Sequence, residues 1–141
     1  MHMTRVLIWL SACLTIAAPL ALSASCPEPT HLYPSAHVSI QQYQDLYDSF
    51  TRRPDTHCKD FGPHQVQCNS DSIGEIWWFT RPGHPAHAAA SRGQMMYNTQ
   101  TQEACLVRDS YFAGDETAFA SWLVELKHYD DQTVARFRAG Q

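Results

Sequence analysis

Two histidines stand three positions apart, just after a strand-like run of aromatic residues. Residues 74–87 read Gly-Glu-Ile-Trp-Trp-Phe-Thr-Arg-Pro-Gly-His-Pro-Ala-His. Imidazole nitrogens at His84 and His87 are the right chemistry for zinc or copper. They also suit proton transfer, because histidine changes charge between about pH 5 and 8. His31, His37, His57, His64, Asp60 and Asp109 are the side chains available to complete a metal site. A small metal-assisted hydrolase built on His84 and His87 is therefore one reading. The spacing argues against it. Pro85 keeps the pair off a helix start, and no His-Glu-x-x-His pattern is present. The plainer account of Pro82-Gly83-His84-Pro85 is a shaped turn whose histidines bond to backbone.

Trp77, Trp78 and Trp122 offer flat rings on which a sugar or a peptide can stack, and Arg81 shares the stretch of the first two. The competing account is that tryptophans in a small domain are core. Adjacent residues on a strand point to opposite faces, so one of the pair has scope to reach the surface. Asp109, Asp115 and Glu116 are near one another in sequence, but Asp115 and Glu116 suit a helix N-terminus, where acids are stabilised. There is no Gly-x-Ser-x-Gly and no phosphate loop.

The elements that must hold these residues follow from periodicity. Ser39 with Gln42 three positions on makes a capping box, and Val38 and Tyr43 occupy hydrophobic-staple positions. Ile40, Tyr43, Leu46, Tyr47 and Phe50 fall on one helical face, and Pro54 stops the helix. Residues 57–72 read as a disulfide-stapled loop with a short strand at 65–68. Residues 73–80 form a strand with Ile76, Trp78 and Thr80 on one face and Trp77 and Phe79 on the other. A single helical turn fits 86–91 before Gly93, then strands at 94–97 and 104–112. Asp115 caps a final helix whose stripe is Phe119, Trp122, Leu123 and Leu126, extended by Tyr129, with a break at Asp130-Asp131.

Near the start of the 141 residues, Arg5 precedes an apolar run from Val6 to Leu22, the layout of a cleavable export signal over residues 1–24. Residues 25–141 are then one domain. Ser23-Ala24-Ser25-Cys26 raises lipidation of Cys26 as a variant. After removal of Cys13, four cysteines remain: Cys26, Cys58, Cys68 and Cys105. An even number suits an oxidising compartment. Cys58–Cys68 across a short loop and Cys26–Cys105 across the domain are the favoured pairs among three connectivities. The formal charge of −4, with scattered arginines, argues against nucleic acid, which needs clustered cations.

These observations predict an α+β domain: a small antiparallel sheet of about three strands, packed on one face by an N-terminal and a C-terminal helix and stapled by disulfides. They point to an exported bacterial envelope protein, periplasmic or secreted, without stable membrane insertion after signal cleavage. Its role would be non-enzymatic binding of a protein or envelope component, as for an inhibitor or immunity-type partner. The binding residues expected are Trp77, Trp78, Arg81, His84 and His87. No cofactor is expected, zinc or copper on His84 and His87 being the alternative. A purely structural envelope role is the third reading.

Overall fold

The computed structural model describes residues 26–98 and 100–140. The expected signal segment lies outside the described residues. The order of elements is α1 (Ile40–Thr51), β1 (Thr56–Asp60), β2 (Gln65–Ser70), β3 (Glu75–Thr80), β4 (Ala89–Asn98), β5 (Glu103–Phe112) and α2 (Glu116–Ala139). The five strands form one antiparallel meander in sequence order. The class is α+β as expected, but the sheet has five strands rather than about three. The short strand expected at 65–68 is β2 and the one expected at 94–97 is part of a longer β4, so the wholly unexpected strand is β1. β1 is polar and mostly exposed, so it carries no apolar alternation. β4 starts in an alanine-rich segment of low strand preference and runs through Gly93. The helical turn expected at 86–91 is therefore strand from Ala89 onward.

The small residues of β4 are what its large neighbours require. Ala90 stands opposite Phe79 and Tyr111, and Ala89 opposite Phe112. All five of these side chains are buried. Interiors pack at crystal-like density, so bulk on one strand demands little on the next.

The helices lie on opposite faces of the sheet, which corrects the one-face arrangement expected. Tyr43 and Phe50 of α1 pack with Val66, Cys68, Trp77, Phe79 and Ala90. Phe119, Trp122 and Leu126 of α2 pack with Trp78, Ala89 and Phe112. Alternating residues of β3 feed the two clusters, so each face of that strand needs its own cover. Each large apolar side chain buried there contributes roughly 1.5–3 kcal/mol.

The α1 face is covered beyond the helix by the N-terminal arm. Arg92 and Asp109 are paired and buried in the sheet, with Nη2 3.1 Å from the carboxylate and Arg92 also reaching Glu75. Asp109 receives the Leu32 backbone N–H and the Tyr111 hydroxyl, and it pairs with His31 at 2.8 Å. Arg92 in turn donates to the carbonyl of Thr30. Cys26–Cys105 ties the start of the arm to β5, and Cys58–Cys68 bridges β1 and β2 at directly opposed positions. Both pairings are those favoured from the sequence.

The helix starts agree with the sequence. Ser39 and Gln42 form the reciprocal capping box, and Asp115 accepts from the Ala118 N–H. Ile40, expected on the buried face, is 61% exposed. The break expected at Asp130-Asp131 is absent: Asp130 pairs with Arg108 of β5, Asp131 pairs with Lys127, and the helix continues. Among the described residues no helix is long and apolar enough to cross a membrane.

Candidate functional site

The turn from β3 to β4 is shaped by its own residues. The Arg81 N–H donates to the carbonyl of His64, the His84 N–H to that of Arg81, and the His87 N–H to that of His84. Gly83 has φ +95°, and a Cβ there would lie 2.5 Å from the His64 ring. Only glycine fits both the conformation and the space. Gly114, just before α2, packs its Cα against the His87 carbonyl with no room for a side chain. The His87–Ala88 peptide is cis.

The two histidines of this turn have opposite roles. His84 Nδ1 accepts from the Ala86 N–H at 3.1 Å, which leaves the proton of the neutral ring on Nε2. His87 Nδ1 lies 3.1 Å from the Thr80 carbonyl and donates to it, which leaves Nε2 as the free acceptor. The rings also face different neighbours. His84 meets Trp122 of α2 at 6.1 Å between centroids, and His87 meets Tyr43 of α1 at 5.5 Å. Those aromatic partners belong to the two opposite faces of the sheet. The arrangement does not bring both imidazoles to one point. Ligation through His84 Nε2 would also need the other tautomer and the loss of its bond from Ala86. Burial pushes the His84 pKa below its ordinary value, with His64 and His87 adding to the effect and Glu125 opposing it.

Of the other side chains considered for a metal site, His64 lies at the same turn with its ring against Gly83, and Asp60 pairs with Arg81; the rest are dispersed. His31 pairs with Asp109 under the arm, His37 packs on Phe112, and His57 sits 3.4 Å from Asp71. Among the described residues no three His, Cys, Asp or Glu side chains are grouped to hold a metal ion. Trp77 and Trp78 are 3% and 2% exposed, so neither ring offers a stacking surface. Trp77 donates instead to Glu75 at 2.9 Å, and Trp78 packs against Phe61 and Tyr129.

Arg81 and His87 do come together. With Tyr43, Gln44, Tyr47 and Pro82 they line a cleft of about 240 Å³ between α1 and the turn. Tyr43 and His87 both donate to the Thr80 carbonyl, which fixes the two rings against each other. Burial holds the Tyr43 phenol well above its ordinary pKa, so it remains a donor across the neutral range. The Tyr47 hydroxyl raises the pKa of Arg81 against the opposing effect of partial burial, and Asp60 adds to the rise. Arg81 pairs with Asp60 at 2.7 Å, and the Asp60 side chain is 69% exposed. A pair this open contributes at most about 1 kcal/mol.

Sequence reasoning missed the contribution of α1 to this site. Tyr43 and Tyr47 were legible as an i, i+4 pair on the apolar face, and Tyr43 is indeed buried against Phe79. The signal that distinguishes them from pure core is the hydroxyl: a buried tyrosine needs a polar partner at its tip. Here that partner is the end of β3. Comparison with protein-family models, with curated proteins and with solved structures found no match to this chain.

Proposed function

We propose that this chain is an exported bacterial envelope domain that binds a protein partner and carries no catalytic chemistry of its own. Its role is of the inhibitor or immunity type. The contact surface is the end of the molecule where α1 meets the β3–β4 turn. The observation that supports this most directly is the cleft: it joins a cation, two tyrosine rings, an amide and a free imidazole nitrogen on a well-tied frame. These groups form hydrogen bonds and ion pairs; Tyr43 and His87 are set by the Thr80 carbonyl, Arg81 by Asp60 and Gln44 by Asp48. The two disulfides support a periplasmic or secreted location.

Site-specific photo-cross-linking in living cells tests the reading. A photoreactive residue at Gln44 or Pro82, both exposed at the rim, should capture one discrete envelope protein. The same residue at Val124, 73% exposed on the outer side of α2, should not, and Arg81→Ala should abolish capture from the rim. Equal labelling from Val124, or none from either rim position, would overturn it.

A further inference from the structure

The cleft is small. Pockets for drug-sized ligands run roughly 300–1,000 Å³, so about 240 Å³ holds a single residue rather than an extended ligand. Its chemistry is asymmetric. Arg81 supplies a planar cation with five N–H donors, and the structure assigns one of them, on Nη1, to Asp60. Asp60 is the last residue of the edge strand β1, and this is the ion pair that holds its exposed carboxylate. It occupies Arg81 as a tethered carboxylate would, and solvent access lets another carboxylate exchange with it. The Tyr43 and Tyr47 rings and Pro82 provide an apolar wall next to the cation. Gln44 at the rim can both donate and accept, and His87 Nε2 accepts.

We infer that the cleft captures the C-terminal residue of a polypeptide, with its carboxylate on Arg81 and its side chain against Tyr43, Tyr47 and Pro82. A chain terminus carries a carboxylate, a side chain and an amide N–H on neighbouring atoms. The cleft offers a cation, an apolar wall and an acceptor among its lining residues. An internal acidic side chain would use the cation and leave the rest. Asp60 is an internal competitor that limits affinity for other anions. This inference rests on the proposed contact surface and names the chemistry that the surface recognises.

The test is titration of the oxidised domain, followed by amide NMR, with three N-acetylated tetrapeptides. One ends in leucine with a free carboxylate. The second is its C-terminal amide. The third is amidated and carries an internal glutamate. The free acid should bind at least roughly tenfold more tightly than the uncharged amide, because charge-assisted pairs are the strong ones. It should also bind more tightly than the glutamate amide, whose carboxylate reaches Arg81 without placing a terminal side chain on the apolar wall. Arg81→Gln should remove the difference between the acid and the uncharged amide while the spectrum away from the cleft stays unchanged. Asp60→Asn should tighten binding of the free acid roughly two- to fivefold, the range set by an exposed ion pair. Equal binding of acid and amide, equal binding of the glutamate peptide, weakening by Asp60→Asn, or no binding of any peptide would each overturn the inference. Cross-linking separates it from the reading beneath it. If the captured partner still cross-links after its C-terminus is blocked, the surface stands and the carboxylate assignment fails. If nothing cross-links, the surface itself fails.

Discussion

His84 and His87 show how one residue type acquires two roles within a single turn. Each ring spends Nδ1 on the backbone, one as acceptor and one as donor. Protonation of His84 would place a proton on the nitrogen that already faces the Ala86 N–H, in a partly buried position. Its lowered pKa means that the unfolded chain takes up the proton more readily than the fold does. The contribution to stability is therefore complete above the ordinary value of 6.5 and declines as pH falls below it. His84→Asn isolates the effect, since the amide oxygen can accept the same bond without titrating. In urea unfolding at pH 7.5 and pH 5.5, the natural protein should lose more stability than the variant. Parallel losses would show that His84 is not the titrating group.

At the scale of elements, β3 is the strand on which both helices depend. Trp77 and Phe79 stack under α1, with ring centroids 5.3 Å apart, while Trp78 packs beneath α2 and Phe61. Trp78→Ala should cost about 3–5 kcal/mol, the usual range for removing a large buried aromatic. Ser39→Ala, which removes only the α1 cap, should cost about 1 kcal/mol. Chemical denaturation of both variants checks the ranking. Similar costs would mean that α1 docking, rather than the two-sided strand, dominates the stability. The cleft makes the same point for position: Arg81 leaves the end of β3, and α1 closes the other wall.

For the molecule as a whole, the N-terminal arm completes the α1 face. Asp109 and Arg92 latch it from within the sheet, and Cys26–Cys105 ties its start. The two disulfides close sequence separations of 79 and 10 residues. In the chain-entropy model a 15-residue loop gains about 3 kcal/mol and a 100-residue loop about 4.7. Cys26→Ser/Cys105→Ser should therefore destabilise more than Cys58→Ser/Cys68→Ser, by roughly 1–2 kcal/mol. The first variant should also lose hydrogen-exchange protection at Leu32 and Tyr33, whose N–H groups bond to the buried Tyr111 hydroxyl. Thermal unfolding and exchange measurements check both. Retained protection would show that the Asp109 latch suffices without the disulfide.

Local rules sufficed wherever a residue's neighbours in sequence decide its state. The Ser39–Gln42 box, the Asp115 cap, the α2 stripe and the two-faced alternation of β3 are such cases, since capping and side-chain period act over a few residues. The α+β class was likewise legible, while the cysteine pairing was one favoured choice among three connectivities that only the fold settles. What the sequence could not decide was set by partners outside the element concerned. β1 is a strand because β2, across a short turn, supplies its hydrogen bonds, and Ala89 and Ala90 are strand because they pair with Phe79 of β3 and with Phe112 and Tyr111 of β5. Opposite placement of the helices follows from both faces of β3 needing cover. The cleft is tertiary throughout: Arg81 and His87 meet Tyr43, Gln44 and Tyr47 only because α1 folds back over the end of the sheet. Packing and hydrogen-bond satisfaction between remote segments made that choice, and no local pattern encodes it.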